Sequence, residues 1–179
     1  LEGATVVVCV GGGIAAYKAA ELVRLLDKAG ARVEVAMTAS AQKFIGPTMR
    51  GEIVWCQGYS EPGSGSDLAS LQTRAEIVGN EWVINGQKIW TSGAHVADYM
   101  FCLCRTEREA PKHAGISYLL LAMKQPGIEV RPLRQMTGAS DFNEVFFSDA
   151  RTPLDWIVGK RGEGWIVSRT TLKHERNMI

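Results

Sequence analysis

The chain has 179 residues, of which 46% are hydrophobic and 22% charged, and its 20 basic and 19 acidic side chains leave a formal net charge of +1. That length suits one domain or two small ones, and the composition is that of an ordinary globular protein. There is no basic stripe, no apolar run of membrane-spanning length and no opening stretch that reads as a signal peptide, so neither nucleic acid nor a membrane is an expected partner.

The four cysteines, Cys9, Cys56, Cys102 and Cys104, stand outside Cys-x-x-Cys spacing, and two lie within apolar runs. Reduced, packed thiols in the cytoplasm are expected rather than disulfides or zinc. Cys102 and Cys104 fall on one face of a strand, which suits packing. His95, His113 and His174 are scattered, and Asp141, Glu144 and Asp149 lack the spacing of a metal loop, so no metal site is expected.

Residues 4–10 are a continuous valine-rich run, suited to a parallel strand buried on both faces. Gly11-Gly12-Gly13 follows. Residues 14–29 then read as a helix, with Ala15, Ala19, Leu22, Val23 and Leu26 as its apolar stripe and Gly30 as its stop. Residues 32–37 form a second strand. Thr38 caps a short helix over residues 39–44, which Gly46-Pro47 is expected to break. In this βαβ unit the glycines precede a helix, where backbone amides and the helix dipole suit a phosphate. Gly11, Gly13 and Ala16 fit a loose Gly-x-Gly-x-x-Ala dinucleotide fingerprint, but no acidic residue ends the second strand. A mononucleotide phosphate is favoured over NAD. The same spacing serves equally a turn that only packs a helix on a strand.

Gly12-Gly13-Ile14-Ala15-Ala16-Tyr17-Lys18-Ala19, with Met37-Thr38 and Ala41-Gln42-Lys43-Phe44, resembles the start of the FMN-dependent cysteine decarboxylases, and among them phosphopantothenoylcysteine decarboxylase. The resemblance implies a flavodoxin-like fold with Gly12, Gly13, Ile14 and Thr38 at the FMN phosphate. It covers residues 1–49 only. The family's later strands, catalytic histidine and Pro-Ala-Ser-Ala-Asn segment are missing. A seam is expected between residues 48 and 54, where Met49-Arg50-Gly51-Glu52 matches neither this family nor the strand-rich pattern beyond residue 54.

Past the seam the pattern changes. Residues 74–78, 81–84 and 87–91 read as strands joined by two-residue turns at Gly79-Asn80 and Asn85-Gly86. Strands over residues 99–105, 116–123, 128–133 and 144–147 come next, with a charged loop over 105–113. Short strands with regular turn signals indicate an antiparallel barrel or sandwich. From Gly164 the pattern is helical.

Two stretches here carry chemistry. Residues 55–67 make a turn-rich loop of hydroxyls and bare amides, in which Gly63 and Gly65 let the backbone approach a ligand and form an anion nest. Ile89-Trp90-Thr91-Ser92 places an indole wall beside two hydroxyls, which suit the polar edge of a planar ring. Together they point to a pyrophosphate-bearing ligand with a flat head. Taken alone, Trp90 reads as a core tryptophan.

Ser60-Glu61-Pro62-Gly63-Ser64-Gly65-Ser66-Asp67 and Asn85-Gly86-Gln87-Lys88-Ile89-Trp90-Thr91-Ser92 resemble the middle β-domain of acyl-CoA dehydrogenases. The likeness continues in order through Pro126-Gly127-Ile128, Asn143-Glu144-Val145-Phe146-Phe147 and Gly162-Glu163-Gly164-Trp165. It implies an FAD site at Gln57, Tyr59, Ser60, Gly65, Ser66, Trp90, Thr91 and Ser92, with Ser92 at the flavin N5 edge. It also implies Ser66 and Arg176 as contacts to an acyl-CoA substrate. Most of that family carries its catalytic glutamate farther downstream, and a minority on this helix, at the position of Glu175. Read as residues only, Arg176 and Glu175 are equally solvated helix side chains.

The expected fold is α+β: a flavodoxin-like, Rossmann-like βαβ fragment (residues 1–49), an antiparallel β-barrel or sandwich (50–160) and the start of a helical segment (161–179). The expected function is that of a flavoprotein oxidoreductase, with FAD serving the α,β-dehydrogenation of acyl-CoA thioesters as in fatty acid metabolism. Acyl-CoA is its expected substrate, a homo-oligomer its expected assembly, and turnover by the chain alone is not expected. The alternatives are an FMN-binding decarboxylase-like protein and a non-catalytic fusion, or chimera, of two flavoprotein fragments.

Overall fold

Valine-rich Thr5–Val10 forms β1, which pairs in parallel with β2, Arg32–Met37, from Thr5↔Arg32 to Val10↔Met37. The computed structural model describes residues 3–10, 22, 23, 25–37 and 39–175. The chain divides into two compact units, Leu1–Ile53 and Val54–Ile179. In the first, residues 22, 23 and 25–28 are helical. That helix ends where Gly30 takes φ 80, with Gly30 N–H bonded to the Asp27 carbonyl and Ala31 N–H to that of Leu26. This pair of bonds is a Schellman stop, which needs a residue tolerant of positive φ.

Helix α1, Ala39–Met49, corrects the expected break: it runs through Gly46 and Pro47. Proline removes one donor near the helix end, and nearby the Thr48 hydroxyl donates to the Phe44 carbonyl at 2.6 Å. The actual stop is Gly51, where Glu52 N–H reaches the Pro47 carbonyl at 2.9 Å in a second Schellman motif. Gly11, Gly12, Gly13, Ile14, Ala16 and Thr38, which carry the expected phosphate turn, lie outside the described residues.

The second unit holds one seven-stranded sheet. Its strands are β3 (Trp55–Gly58), β4 (Arg74–Val78), β5 (Glu81–Ser92), β6 (Tyr99–Arg105), β7 (Ile116–Ala122), β8 (Ile128–Leu133) and β9 (Phe142–Pro153). A 3-10 turn, Leu68–Ser70, lies between β3 and β4, and helix α2, Gly164–Glu175, closes the described chain. The order is β3-β6-β4-β5-β9-β8, with β7 on β6. The sheet is mixed rather than wholly antiparallel, because β3 runs parallel to β6 from Trp55↔Tyr99 to Gly58↔Cys102. A long connection between the two strands permits that direction. Asp98 secures the entry to β3, its carboxylate accepting from Val54 N–H at 3.1 Å.

The sheet curls. The chain after β9 pairs back on β7: Leu120 N–H donates to the Trp156 carbonyl at 2.8 Å, Val158 N–H to that of Tyr118 at 2.9 Å, and the Thr152 hydroxyl to that of Leu120 at 2.6 Å. Trp82 and Ile84 of β5, Met100, Cys102 and Cys104 of β6, Leu119 and Leu121 of β7, and Val145 and Phe147 of β9 thereby share one core. Truncating any of its large side chains is expected to cost about 2–5 kcal/mol. Cys56, Cys102 and Cys104 are buried free thiols, and burial, with Cys102 close by, pushes the Cys56 thiol up to about 12.

Asn85-Gly86 is not a hairpin turn, contrary to the sequence expectation: β5 passes through it unbroken. Gly86 adopts φ 148, and a Cβ there would fall 2.7 Å from the Thr73 Cα. Asn85 bonds across to β9 instead, giving a hydrogen bond to the Asp149 carboxylate at 2.8 Å and accepting one from Asp149 N–H at 2.9 Å. The Asn-Gly pair therefore makes a bulge that lets residue 73 approach. Gly79-Asn80 is the real turn, with Val78 facing Glu81.

Glycine is also required where α2 meets β7. A Cβ at Gly164 would lie 2.7 Å from the Ser117 Cα, whereas one at Gly63 meets nothing within 4 Å. Gly164→Ala is expected to lower stability by about 1–3 kcal/mol through forced backbone displacement, with Gly63→Ala near neutral. Urea midpoints of the two variants check this contrast, and equal midpoints would contradict the packing.

Candidate functional site

The loop after β3 is closed by reciprocal bonds, Glu61 N–H to the Ser64 carbonyl and Ser64 N–H to the Glu61 carbonyl, each 3.0 Å. The Ser64 hydroxyl donates to the Asp67 carbonyl at 2.8 Å, and the Ser70 hydroxyl to the same carbonyl at 2.6 Å. These two hydroxyls stabilise the loop. Gly65 and Ser66 at its tip are exposed.

The loop is fastened to β5 by a buried ion pair. Lys88 is fully buried and places its ammonium 2.8 Å from Glu61 Oε1, donating also to the Tyr59 carbonyl at 3.0 Å. Glu61 accepts further from the backbone N–H of Gln72 at 2.6 Å and of Thr73 at 2.9 Å. Burial pushes the Glu61 carboxyl up, but the Lys88 ammonium and these N–H donors outweigh it and hold the group below its ordinary range. One residue beyond Lys88, Ile89 N–H donates to the Ser60 carbonyl at 2.9 Å. The two stretches singled out in the sequence thus meet in space.

Next along β5 the pairing with β9 slips between Lys88 and Thr91. Trp90 occupies this bulge at φ 59, and 61% of it is exposed. A large side chain in the left-handed region is strained, and such strain gathers at binding sites. The expectation of a core tryptophan is therefore corrected: the bulge breaks the alternation of the strand and turns the indole outward. Its only ring neighbour among the described residues is Phe142, edge-on at 6.1 Å.

After Trp90, Thr91 and its register partner Asn143 are buried at 1% and 0% exposure. Asn143 Nδ2 donates to the Thr91 carbonyl at 2.9 Å and lies 3.4 Å from His95 Nδ1. Thr91 Oγ1 and Asn143 Oδ1 are buried without a hydrogen-bond partner among the described residues. Ser92 is exposed at the end of the strand, and Gln57 and Ser60 are half-buried. Tyr59 is buried, its ring edge-on to Phe101 and Tyr118 at 6.0 and 6.2 Å. Any contact Tyr59 or Thr91 makes with a ligand therefore falls to the main chain. Glu175 ends α2, but its side chain lies outside the described residues, as does all of Arg176.

The structure brings Ser60, Trp90 and Ser92 into one region of β5 and its loop. Sequence reasoning passed over the Glu61–Lys88 pair and Asn143. Lys88 stands beside Ile89 and Trp90 but follows Asn85-Gly86-Gln87, so its local sequence reads as solvated, and the carboxylate that lets it be buried is 27 residues away. Asn143 gives no signal either, since its partner is a backbone carbonyl on another strand.

Residues 56–150 match the family described as acyl-CoA dehydrogenase, middle domain. Acyl-CoA dehydrogenase IpdE1 of Mycobacterium tuberculosis is 58% identical over 125 residues, covering 70% of this chain and 32% of that protein. IpdE1 of Mycolicibacterium smegmatis is 47% identical over 156 residues, covering 82% and 40%. The solved steroid ACAD Tcur3481–Tcur3483 superposes with a TM-score of 0.74 at 40% identity, covering 87% of this chain and 38% of that one. The chain thus spans between about a third and two fifths of the length of these relatives. Residues 54–179 are 126 of 179, or about 70%, so a match of 82% also takes in residues before Val54. The likeness crosses the seam expected between residues 48 and 54.

Proposed function

Because this chain belongs to the acyl-CoA dehydrogenase family, we propose that it forms the flavin-facing β-domain of an FAD-dependent enzyme that dehydrogenates acyl-CoA thioesters between Cα and Cβ. The observation that carries this reading is the exposed Trp90 on its strained bulge, tied through Ile89 to the Ser60 loop. A flat apolar wall, mostly exposed on an unfavourable backbone conformation and with Phe142 its only ring neighbour among the described residues, fits one face of a planar ring. The exposed tip at Gly65 and Ser66 fits a phosphate-bearing chain.

When bound, FAD supplies the hydride acceptor. The residues of this chain position and shield. Trp90 covers one ring face, and Ser92 offers its hydroxyl to the ring edge. Backbone amides around Ser60, Gly65 and Ser66 meet the pyrophosphate, with Gln57 and the main chain of Tyr59 and Thr91 lining the approach. Ser66 and Arg176 meet the thioester substrate, and Glu175 is the candidate base for the α-proton. A base must reach hydrogen-bond distance of that carbon to act. The solved steroid ACAD makes polycyclic thioesters one substrate class to test beside fatty acyl ones.

The FMN site at Gly12, Gly13, Ile14 and Thr38, and the reading of the chain as a fusion, lose support from the match that crosses the seam. We retain residues 1–49, 50–160 and 161–179 as working segments and a homo-oligomer as the assembly, to be tested by light scattering. Among the described residues no helix is long and apolar enough to cross a membrane. The test of function is to denature the purified protein and identify any released flavin by mass. FAD is expected, and release of FMN would favour the decarboxylase alternative. If none is released, titration with FAD decides, and failure to bind it overturns the reading.

A further inference from the structure

We propose that Asn143 is a positioning residue for the flavin face: its amide holds the Trp90 bulge in place through the Thr91 carbonyl. The proposal rests on the reading of Trp90 as a flavin wall. A bulge leaves a strand with backbone groups that the ladder does not pair. Here Ile89 and Trp90 fall in the shift, the ladder resumes at Thr91↔Asn143, and at that first pair beyond the bulge Asn143 Nδ2 meets the Thr91 carbonyl at 2.9 Å. Asn143 is fully buried on β9, directly opposite Thr91, and its amide nitrogen makes its shorter contact with the Thr91 carbonyl, at 2.9 Å against 3.4 Å to His95 Nδ1.

The orientation of the amide is set by the carbonyl it faces: only the NH2 end can donate there. That leaves Oδ1 buried and unpartnered among the described residues, beside an equally unpartnered Thr91 Oγ1. Burying such a group is unfavourable, so an apolar residue would suit this position better if packing were its only task. The retained amide is explained by what its other end holds. The exposed indole has one edge-on neighbour, Phe142, the residue preceding Asn143. Two contacts at the Trp90 bulge therefore come from the start of β9, one through the ring and one through the backbone. With the amide gone, the strained Trp90 backbone is free to relax and carry the indole away from its place.

The test separates this role from simple stability and from the flavin reading. Asn143→Asp keeps the shape but replaces the donor with an acceptor at neutral pH, and Asn143→Ala removes both. Each is labelled with 5-fluorotryptophan, and the Trp90 19F resonance is assigned through Trp90→Phe. The expected result is a shifted or broadened Trp90 line with the lines of Trp55, Trp82, Trp156 and Trp165 unchanged. FAD affinity of the same samples is expected to fall about tenfold, the scale of one lost hydrogen bond. Unchanged Trp90 lines in both variants overturn the proposal, as does a Trp90 line that moves only together with the other four as the fold loosens. If the Trp90 line alone responds but the unsubstituted chain binds no FAD, the positioning role stands and the flavin reading falls.

Discussion

Lys88→Met is expected to destabilise the second unit by about 3–5 kcal/mol, because it strands the Glu61 carboxylate in a buried site. Lys88 is fully buried and Glu61 is 7% exposed by side chain, so water cannot replace the lost partner. The N–H groups of Gln72 and Thr73 still hold the carboxylate in place, which prevents its escape. Glu61→Gln is expected to cost a similar amount, now by stranding the ammonium. The double variant Glu61→Leu with Lys88→Met removes both charges and is expected to recover much of the loss, since buried pairs give little net stability over apolar replacements. Urea denaturation of the three variants checks this. A Lys88→Met penalty near zero would show that the pair is solvated.

The same pair sets an acid limit. The Glu61 carboxyl is held below its ordinary value of 4.5 in the folded chain. A depressed carboxyl stabilises the fold at pH above that ordinary value, and the contribution is lost as pH falls toward and through the lowered folded one. The unsubstituted chain should therefore lose stability as acid is added below about pH 4.5, the ordinary value. Glu61→Gln should show a shallower slope there.

Strands with a clean pattern were legible in the sequence. Residues 99–105 and 116–123 alternate or run apolar as buried strands should, and they hold β6, Tyr99–Arg105, and β7, which ends one residue sooner at Ala122. What was hidden depends on partners far along the chain. Asn85-Gly86 carries a strong local turn signal, yet Asp149 and Thr73 capture it in a bulge. Gly46-Pro47 reads as a helix break, but the stop waits for Gly51. The site divides the same way. Trp90, Ser92 and the Ser60 loop were visible as residue types, while the strain at Trp90 and the Glu61–Lys88 tie arise only once β5 meets β9 and the loop.

Trp90→Gly is expected to abolish most flavin binding without harming the fold, and this pairing of effects is the sharper test of the site. A central aromatic anchor commonly contributes about 2 kcal/mol or more to binding, some thirtyfold in affinity. Losing the indole should weaken FAD by at least that much. The effect on stability runs the other way from that of an ordinary tryptophan. Removing a core tryptophan costs roughly 3–5 kcal/mol. Trp90 is 61% exposed and sits at φ 59, where glycine is at ease and a side chain is strained by about 1–2 kcal/mol. Relief of that strain offsets the lost contact with Phe142, so the melting temperature should stay level or rise. Trp90→Ala keeps the strain and loses the ring, and is expected to bind FAD as poorly while melting slightly lower. Thermal melts and FAD titrations on the two variants decide the matter. A large drop in melting temperature for Trp90→Gly would make Trp90 a packing residue after all, and retained FAD affinity would move the flavin elsewhere.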